Sequence, residues 1–429
     1  MTSTHSRRGL ASLIELPLLF LFGLAAGCGG APRGGHGGGP DDGHRAPPPS
    51  EGAAAFAASS NTFGLDVWRQ LAEPGTRNLA ISPASISTAL AMTYGGARGT
   101  TATAMASGLH VSTGPDESMS AAGSLVRAWN DPSRTSYELA VANRLFGERG
   151  YVFQPAFLSA TRDAFGAELE RVDFVTASEP ARVGINGWVS DMTHARIPEI
   201  LPAGSVDEDT RLVLVNAVYF HGQWVVPFDP EATFDASFQT GSASTVNVPT
   251  MHRTGGRYGE DADVQLYELP YAGDEVSMLF VLPRDRNGLP AIEASLDADD
   301  VARWAGLVHG TEDVEVALPR FRIETDPFSL RPALMRLGMS EIFEPHADFS
   351  GMSAPGEDPL FVSDVFHRVF VELNEEGTEA AAATAVVMTT ESAAMVDPPR
   401  FLADHPFLFF LRDQRTGAIL FAGRVADPS

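Results

Sequence analysis

NEEGTEAAAATAVVMTTESAAMVDPPR, Asn374 to Arg400, pulls in two directions. Four consecutive alanines, Ala380 to Ala383, favour a helix, whereas the Val-Val-Met-Thr-Thr that follows favours a strand. Read as a strand, side chains alternate between faces. With Glu379 outward, Thr378, Ala380, Ala382, Thr384, Val386 and Met388 share the inner face. All are uncharged, and none before Met388 is large. Ala381, Ala383, Ala385, Val387 and Thr389 lie with Glu379 on the other face. Gly377 supplies a pivot at the start, and a double proline, Pro398-Pro399, closes the run. Alanine makes a poor static strand and an apolar run makes a poor exposed loop. The composition suits a segment that moves from one state to the other.

The rest of the chain sets the frame. Its 429 residues are 44% hydrophobic, enough for a sizeable core. Thirty basic residues against fifty-five acidic ones leave a net charge of −25, which argues against nucleic acid and anionic lipid surfaces as partners.

Three regions differ in composition. Residues 1–27 carry a basic start at Arg7 and Arg8 and an apolar run from Ala11 to Ala26 that ends in small residues, as an export signal does. The ending Leu24-Ala25-Ala26-Gly27-Cys28 is similar to a bacterial lipoprotein signal, in which Cys28 becomes the lipidated first residue. A plain secretory signal is the alternative. Cys28 is the sole cysteine, so no disulfide forms within the chain. Residues 28–54 are rich in Gly and Pro and read as a flexible tether, with His36 and His44 incidental to it. Residues 55–429 show no internal repeat and no second linker. Their mixed helical and strand patterns predict a single α+β domain.

Within that domain, Ser82 and Pro83 predict the start of a helix whose Ile86, Leu90 and Tyr94 form a stripe, ended by Gly95-Gly96. A second helix carries Ile185, Trp188, Val189 and Met192 on one face and is expected to end at Pro198. Arg211 to Trp224 is apolar on both parities, as a strand covered on both faces must be. Leu360 to Leu373 reads as one long strand, with Val365, His367, Val369, Val371 and Leu373 on one face. A hairpin turning near Arg415-Thr416-Gly417 ends the chain. Asn216 and His367 sit in the middle of apolar strands. A buried polar group without a partner costs about 1–3 kcal/mol, so each is expected to bond to the other or to the Ser82 and Ser85 hydroxyls. Nucleophile-elbow, phosphate-loop, dinucleotide and zinc-protease motifs do not occur in the sequence, which disfavours a hydrolase.

Nine segments, in order, resemble the serpin family: NLAISPASISTALAMTYGGARGTTATAM, ANRLF, INGWVSDMTHARI, LVNAVYFHGQW, ELPYAGDEVSMLFVLP, LPRFRIE, LGMSEIFEPHADFSGM, VFHRVFVELNEEGTEAAAATA and ADHPFLFFLRDQRTGAILFAGRV. The resemblance implies three β-sheets, about nine helices and an exposed reactive loop, here residues 375–400. It implies a monomeric inhibitor without cofactor. An attacking protease forms an acyl-enzyme with the loop, which then inserts into the central sheet and carries the protease with it. A binding or substrate-like protein of the same fold is the alternative.

By the same resemblance, Glu375, Gly377, Thr378, Glu379 and Ala380 to Ala383 form the hinge, and Arg320 is the basic partner of Glu375. Trp224 marks where insertion begins, and Ser82, Ser85, Asn216 and His367 control sheet opening. The family's spacing from Glu375 puts the reactive bond at Glu391–Ser392. Spacing back from Ala403-Asp404-His405 puts it at Met395–Val396, and Met388 is a further candidate. Glu391 implies a glutamate-preferring protease; the methionines imply a chymotrypsin-, elastase- or subtilisin-like one. About 14 inserted residues would span roughly 46 Å at about 3.3 Å each.

Overall fold

The structure, a computed structural model, describes residues 49–72, 77–131, 134–166, 169–378 and 398–429. The signal-like segment, Cys28, hinge residues Glu379 and Ala380 to Ala383, and the candidate bonds at Met388, Glu391–Ser392 and Met395–Val396 lie outside them.

Nine α-helices occur among the described residues: α1 Glu51–Leu71, α2 Pro83–Tyr94, α3 Gly99–Gly108, α4 Pro115–Trp129, α5 Pro155–Phe165, α6 Phe174–Met192, α7 Leu289–Ser295, α8 Ala298–Leu307 and α9 Arg331–Leu334. Strands β1 Leu79–Ile81, β2 Tyr137–Glu148, β3 Glu170–Val172 and β4 Leu212–Gln223 precede the middle of the chain. There follow β5 Thr233–Gln239, β6 Thr245–Glu260, β7 Val264–Pro270, β8 Val276–Pro283, β9 His309–Pro319, β10 Phe321–Glu324 and β11 Phe328–Ser329. The last are β12 Val365–His367, β13 Phe370–Leu373, β14 Gly377–Thr378, β15 Arg400–Leu402, β16 Phe407–Asp413 and β17 Ile419–Val425.

Among the described residues the strands form three hydrogen-bonded sheets. The largest runs β1-β17-β16-β8-β7-β6-β9-β15, with β5 added on β6. The second runs β11-β12-β4-β2-β3, with β14 added on β4, and the third is the pair β10-β13. This is the α+β architecture the sequence predicts. Helix α2 is buried along all twelve residues, capped by the Ser82 hydroxyl, which accepts from the Ser85 N–H. It packs against β4 on one side and β17 on the other, so it has no solvent face and its expected stripe understates its burial. The other side of β2 and β4 carries a smaller core in which Ile185 and Val189 of α6 meet Phe146, Val213, Val215 and Phe370.

Three boundaries differ from the sequence reading. The Gly/Pro-rich stretch expected to reach residue 54 gives way at Glu51 to α1, because the Ser50 hydroxyl accepts from the Ala53 N–H and caps it. Helix α6 ends at Met192 rather than at Pro198; His194 and Ala195 take positive φ, 48° and 63°, and reverse the chain earlier. The strand expected over Leu360–Leu373 is two strands, β12 and β13, separated at Arg368-Val369. Its face holds across the break, with Val365, His367, Val369, Val371 and Leu373 all buried. What changes there is the strand partner.

Candidate functional site

The six-stranded sheet is closed at one end and open at the other. Val365, Phe366 and His367 of β12 pair in parallel with Leu214, Val215 and Asn216 of β4. Past His367 the chain turns its ladder away, and Phe370 to Leu373 pair with Glu324 to Phe321 of β10. Strand β4 continues along β2 as far as Gly222. Between Ala217 and His221, its other edge has no strand partner among the described residues.

At the far end of that edge the hinge enters. Gly377 and Thr378 pair antiparallel with Gln223 and Gly222. A tight turn reverses the chain to bring them there. The Asn374 side-chain oxygen accepts from the Glu376 and Gly377 N–H groups, at 3.1 and 3.2 Å, and the Asn374 N–H donates to the Gly377 carbonyl. The Trp224 indole N–H donates to the Asn374 carbonyl at 3.0 Å, and its backbone N–H to the Glu376 carbonyl at 2.8 Å. Trp224 therefore fastens the turn from two sides.

Close approach explains the glycine. A Cβ at Gly377 would stand 1.9 Å from the Gly222 carbonyl oxygen, inside β4's own backbone. The next side chain, Thr378, points into the protein as the alternation predicts. It is buried, and its hydroxyl lies 2.6 Å from the Tyr271 hydroxyl. The Tyr271 ring packs 4.3 Å from Trp224 and 4.7 Å, edge-on, from Phe220. Burial pushes the Tyr271 phenol far above its ordinary pKa, so it remains a neutral donor and acceptor.

Glu375 sits one step before the turn's apex. Burial by itself would raise its pKa. The Arg320 guanidinium, with Nε at 2.8 Å, and the Thr233 hydroxyl outweigh that and hold it below the usual carboxylate range. The carboxylate side chain is 6% exposed and the guanidinium 44%, so the pair is a buried anion met by a half-solvated cation. A cleft of about 600 Å³ opens beside it, lined by Arg320, Phe321, Glu372, Leu373 and Glu376 among others.

At the closed end, the expected polar residues come together. The Ser82 N–H donates to His367 Nε2 at 3.1 Å, which fixes the proton on Nδ1. Nδ1 then donates to the Asn216 side-chain oxygen at 3.0 Å. The Asn216 amide donates to the Asn143 side-chain oxygen at 2.8 Å, which also receives the Ser85 hydroxyl at 3.4 Å. The Asn143 amide donates to Thr88 at 2.6 Å. Burial keeps His367 neutral, its pKa down at about 3. The chain of bonds thus links α2, β2, β4 and β12 where β4 and β12 are still paired.

Sequence reasoning missed Asn143 and Thr88 here, and Asn374, Thr233 and Tyr271 at the hinge. Asn143 carried a signal, a polar residue in the apolar run Leu139 to Phe146, but only the β2–β4 register sets it opposite Asn216. Tyr271 follows a Pro in a turn-rich stretch and gave no sign of reaching Thr378.

The chain has extensive relatives. The family model described as "Serpin (serine protease inhibitor)" matches residues 58–428. Leukocyte elastase inhibitor of Bos taurus is 41% identical over 381 residues, covering 87% of this chain and 99% of the relative. Serpin B6 of Pongo abelii is 41% identical over 380 residues, with the same coverage. Among solved structures, uncleaved ovalbumin matches with a TM-score of 0.76 at 29% identity, covering 87% of this chain and 100% of ovalbumin. Human thyroxine-binding globulin, solved with thyroxine, matches with a TM-score of 0.78 at 27% identity, covering 88% and 100%.

Proposed function

The chain belongs to the serpin family, and from that premise we propose that it is an irreversible suicide inhibitor of serine endopeptidases and, by the same trapping chemistry, of cysteine endopeptidases. One observation carries this reading. Gly377 and Thr378 are already paired with β4, antiparallel, at the open end of an edge that, among the described residues, runs unpartnered from Ala217 to His221. The residues that follow have the alternation of a strand able to continue along it.

The protease nucleophile attacks the carbonyl of the reactive bond, the C-terminal segment leaves with a new amino group, and the acyl-enzyme remains on the loop. Insertion then competes with hydrolysis. Its driving force is ladder hydrogen bonding and apolar burial; a few hundred Å² at about 25 cal/mol per Å² contributes on the order of 10 kcal/mol. In the uncleaved chain that energy is held back kinetically. Glu375 with Arg320, and the cluster of Ser82, Ser85, Asn216 and His367, act as the restraints at the two ends of the gap.

The reactive bond is Glu391–Ser392, with Met395–Val396 and Met388–Thr389 as alternatives. Residues 1–27 act as an export signal, and Cys28 carries a lipid that holds the domain at the cell envelope through the segment up to Ser50. The basic start, the apolar run and the single cysteine support this.

The test is incubation of the protein with elastase, chymotrypsin, subtilisin and a glutamyl endopeptidase. A complex that survives denaturing electrophoresis, and a higher melting temperature after loop cleavage, are expected. The released peptide begins at Ser392, Val396 or Thr389 according to the bond cut. Cleavage with full protease activity retained throughout would instead support the second reading, a binding or substrate-like protein, a role the fold has in thyroxine-binding globulin.

A further inference from the structure

All thirty basic residues of the chain are arginine, and it contains no lysine. Arginine pairs readily with carboxylates through its planar fork, whereas lysine is the more strongly hydrated cation. The structure uses its arginines accordingly. Arg424 meets Glu293 at 2.8 Å, Arg134 meets Glu275 at 3.3 Å and Arg412 meets Glu268 at 3.4 Å, each pair largely inside the protein. Pairs of this kind cancel. The excess behind the net charge of −25 is therefore carried by carboxylates at the surface, where their field reaches into solvent.

The reactive stretch has the same sign in a purer form. From Glu372 to Pro399 there are six carboxylates and no Lys or Arg. Two of the six have a cation from outside the stretch. Glu375 is held by Arg320, with Nε at 2.8 Å, and Glu372 stands opposite Arg322 in the β10–β13 register. Where the chain rejoins the fold, Arg400 is taken by Glu315 at 3.0 Å. Glu376, Glu379, Glu391 and Asp397 remain, in a run up to Pro399 that holds no cation of its own. The run also offers no Arg or Lys to a protease that requires one at the bond it cuts.

An enzyme approaching the loop meets two charges of one sign, a local one on the bait and a larger one on the domain behind it. The screening length is about 30 Å in about 10 mM salt and about 3 Å in about 1 M salt. The pull therefore acts ahead of contact in dilute salt and is lost in concentrated salt. Charge complementarity of this kind changes association rates by about 10- to 1,000-fold. Insertion along β4 follows attack and takes place within one molecule, so the field acts on the encounter and not on the trapping.

We propose that the target of the loop is an endopeptidase of net positive charge, selected by the field of this chain from enzymes able to cut the same bond. The selection alters how fast the loop is attacked. It does not alter how the acyl-enzyme divides between trapping and release. The inference rests on the reading of residues 375–400 as a protease's bait.

The experiment sets the full chain against chymotrypsin, subtilisin and a glutamyl endopeptidase, each untreated and with its surface lysines succinylated. Succinylation exchanges positive charge for negative, and a short peptide substrate cut by both forms corrects for any change in the active site. The readout is the second-order rate of attack on the loop, counting trapped complex and cleaved product alike. In about 10 mM salt the succinylated form of each enzyme that cuts the loop is expected to attack about tenfold more slowly than the untreated form, with the difference lost in about 1 M salt. The share of attacked loop that ends as trapped complex stays the same. Glu376→Gln combined with Asp397→Asn is expected to slow the untreated enzymes in dilute salt and not in concentrated salt. Equal rates for the two forms in dilute salt overturn the proposal, as does a loop that none of the three enzymes attacks. Failure of the inhibitor reading looks different: every enzyme yields cleaved product and no complex, while the ratio of the two forms' rates still reports on charge.

Discussion

The hydroxyl of Thr378 lies 2.6 Å from that of Tyr271, and both residues are buried. The first side chain of the prospective strand is thus inside the sheet while β4 and β13 are still apart. The hinge is docked by one side-chain bond, two ladder positions and the Asn374 turn. Each of these can be removed separately.

Tyr271→Phe keeps the ring packed against Trp224 and removes only the hydroxyl. Thr378 then has a buried hydroxyl without its partner, which costs about 1–2 kcal/mol. The urea midpoint of the uncleaved protein should fall accordingly. Combined with Thr378→Val, the two losses should be less than additive, as expected for groups in contact. Full additivity would mean the two hydroxyls do not interact.

Gly377→Ala is expected to undock the hinge. Its Cβ would overlap the Gly222 carbonyl oxygen, and the obstacle is backbone, which cannot rotate aside. Hydrogen exchange of a peptide spanning Gly222 to Trp224 should rise at least tenfold in the variant. Unchanged protection there would show that the turn accommodates alanine.

His367 makes the closed end sensitive to acid. Its pKa is about 3 in the folded chain and near 6.5 when unfolded, so folding depresses it. Above about pH 6.5 both states are neutral and the cluster contributes fully. Between roughly 6.5 and 3 only the unfolded chain takes the proton, so stability falls as pH falls, by up to about 1.4 kcal/mol per unit. Protonation would also set a second N–H against the Ser82 N–H. Melting temperatures from pH 7.5 to 4.5 should drop more steeply for the wild type than for His367→Gln. Parallel curves would remove His367 from the account.

Much of this site was legible in the sequence because it depends on composition and local spacing. The inward-facing Thr378, the Ser82 cap and the polar interruptions at Asn216 and His367 are all one-dimensional features. The break at Arg368-Val369 was not legible, since the apolar face runs through it unchanged and only the ladder partner differs. Asn143 and Tyr271 escaped for a related reason. Each acts on a residue more than seventy positions away, and a register of that range is fixed by the packed sheet alone. The early end of α6 turns on positive φ at His194 and Ala195, where neither residue type advertises it.

Asn216→Ala separates the two states of the sheet. In the uncleaved chain the Asn216 side chain bridges His367 and Asn143, so its removal leaves the His367 Nδ1–H and an Asn143 lone pair buried and unmatched. That costs about 1–3 kcal/mol. A strand inserted along β4 would part Asn216 from His367, because their contact depends on the direct β4–β12 pairing. The cleaved protein should therefore lose little from the same substitution. The rise in melting temperature on loop cleavage is expected to be larger in Asn216→Ala than in the wild type. Equal losses in the cleaved and uncleaved proteins would mean that insertion never reaches this pair.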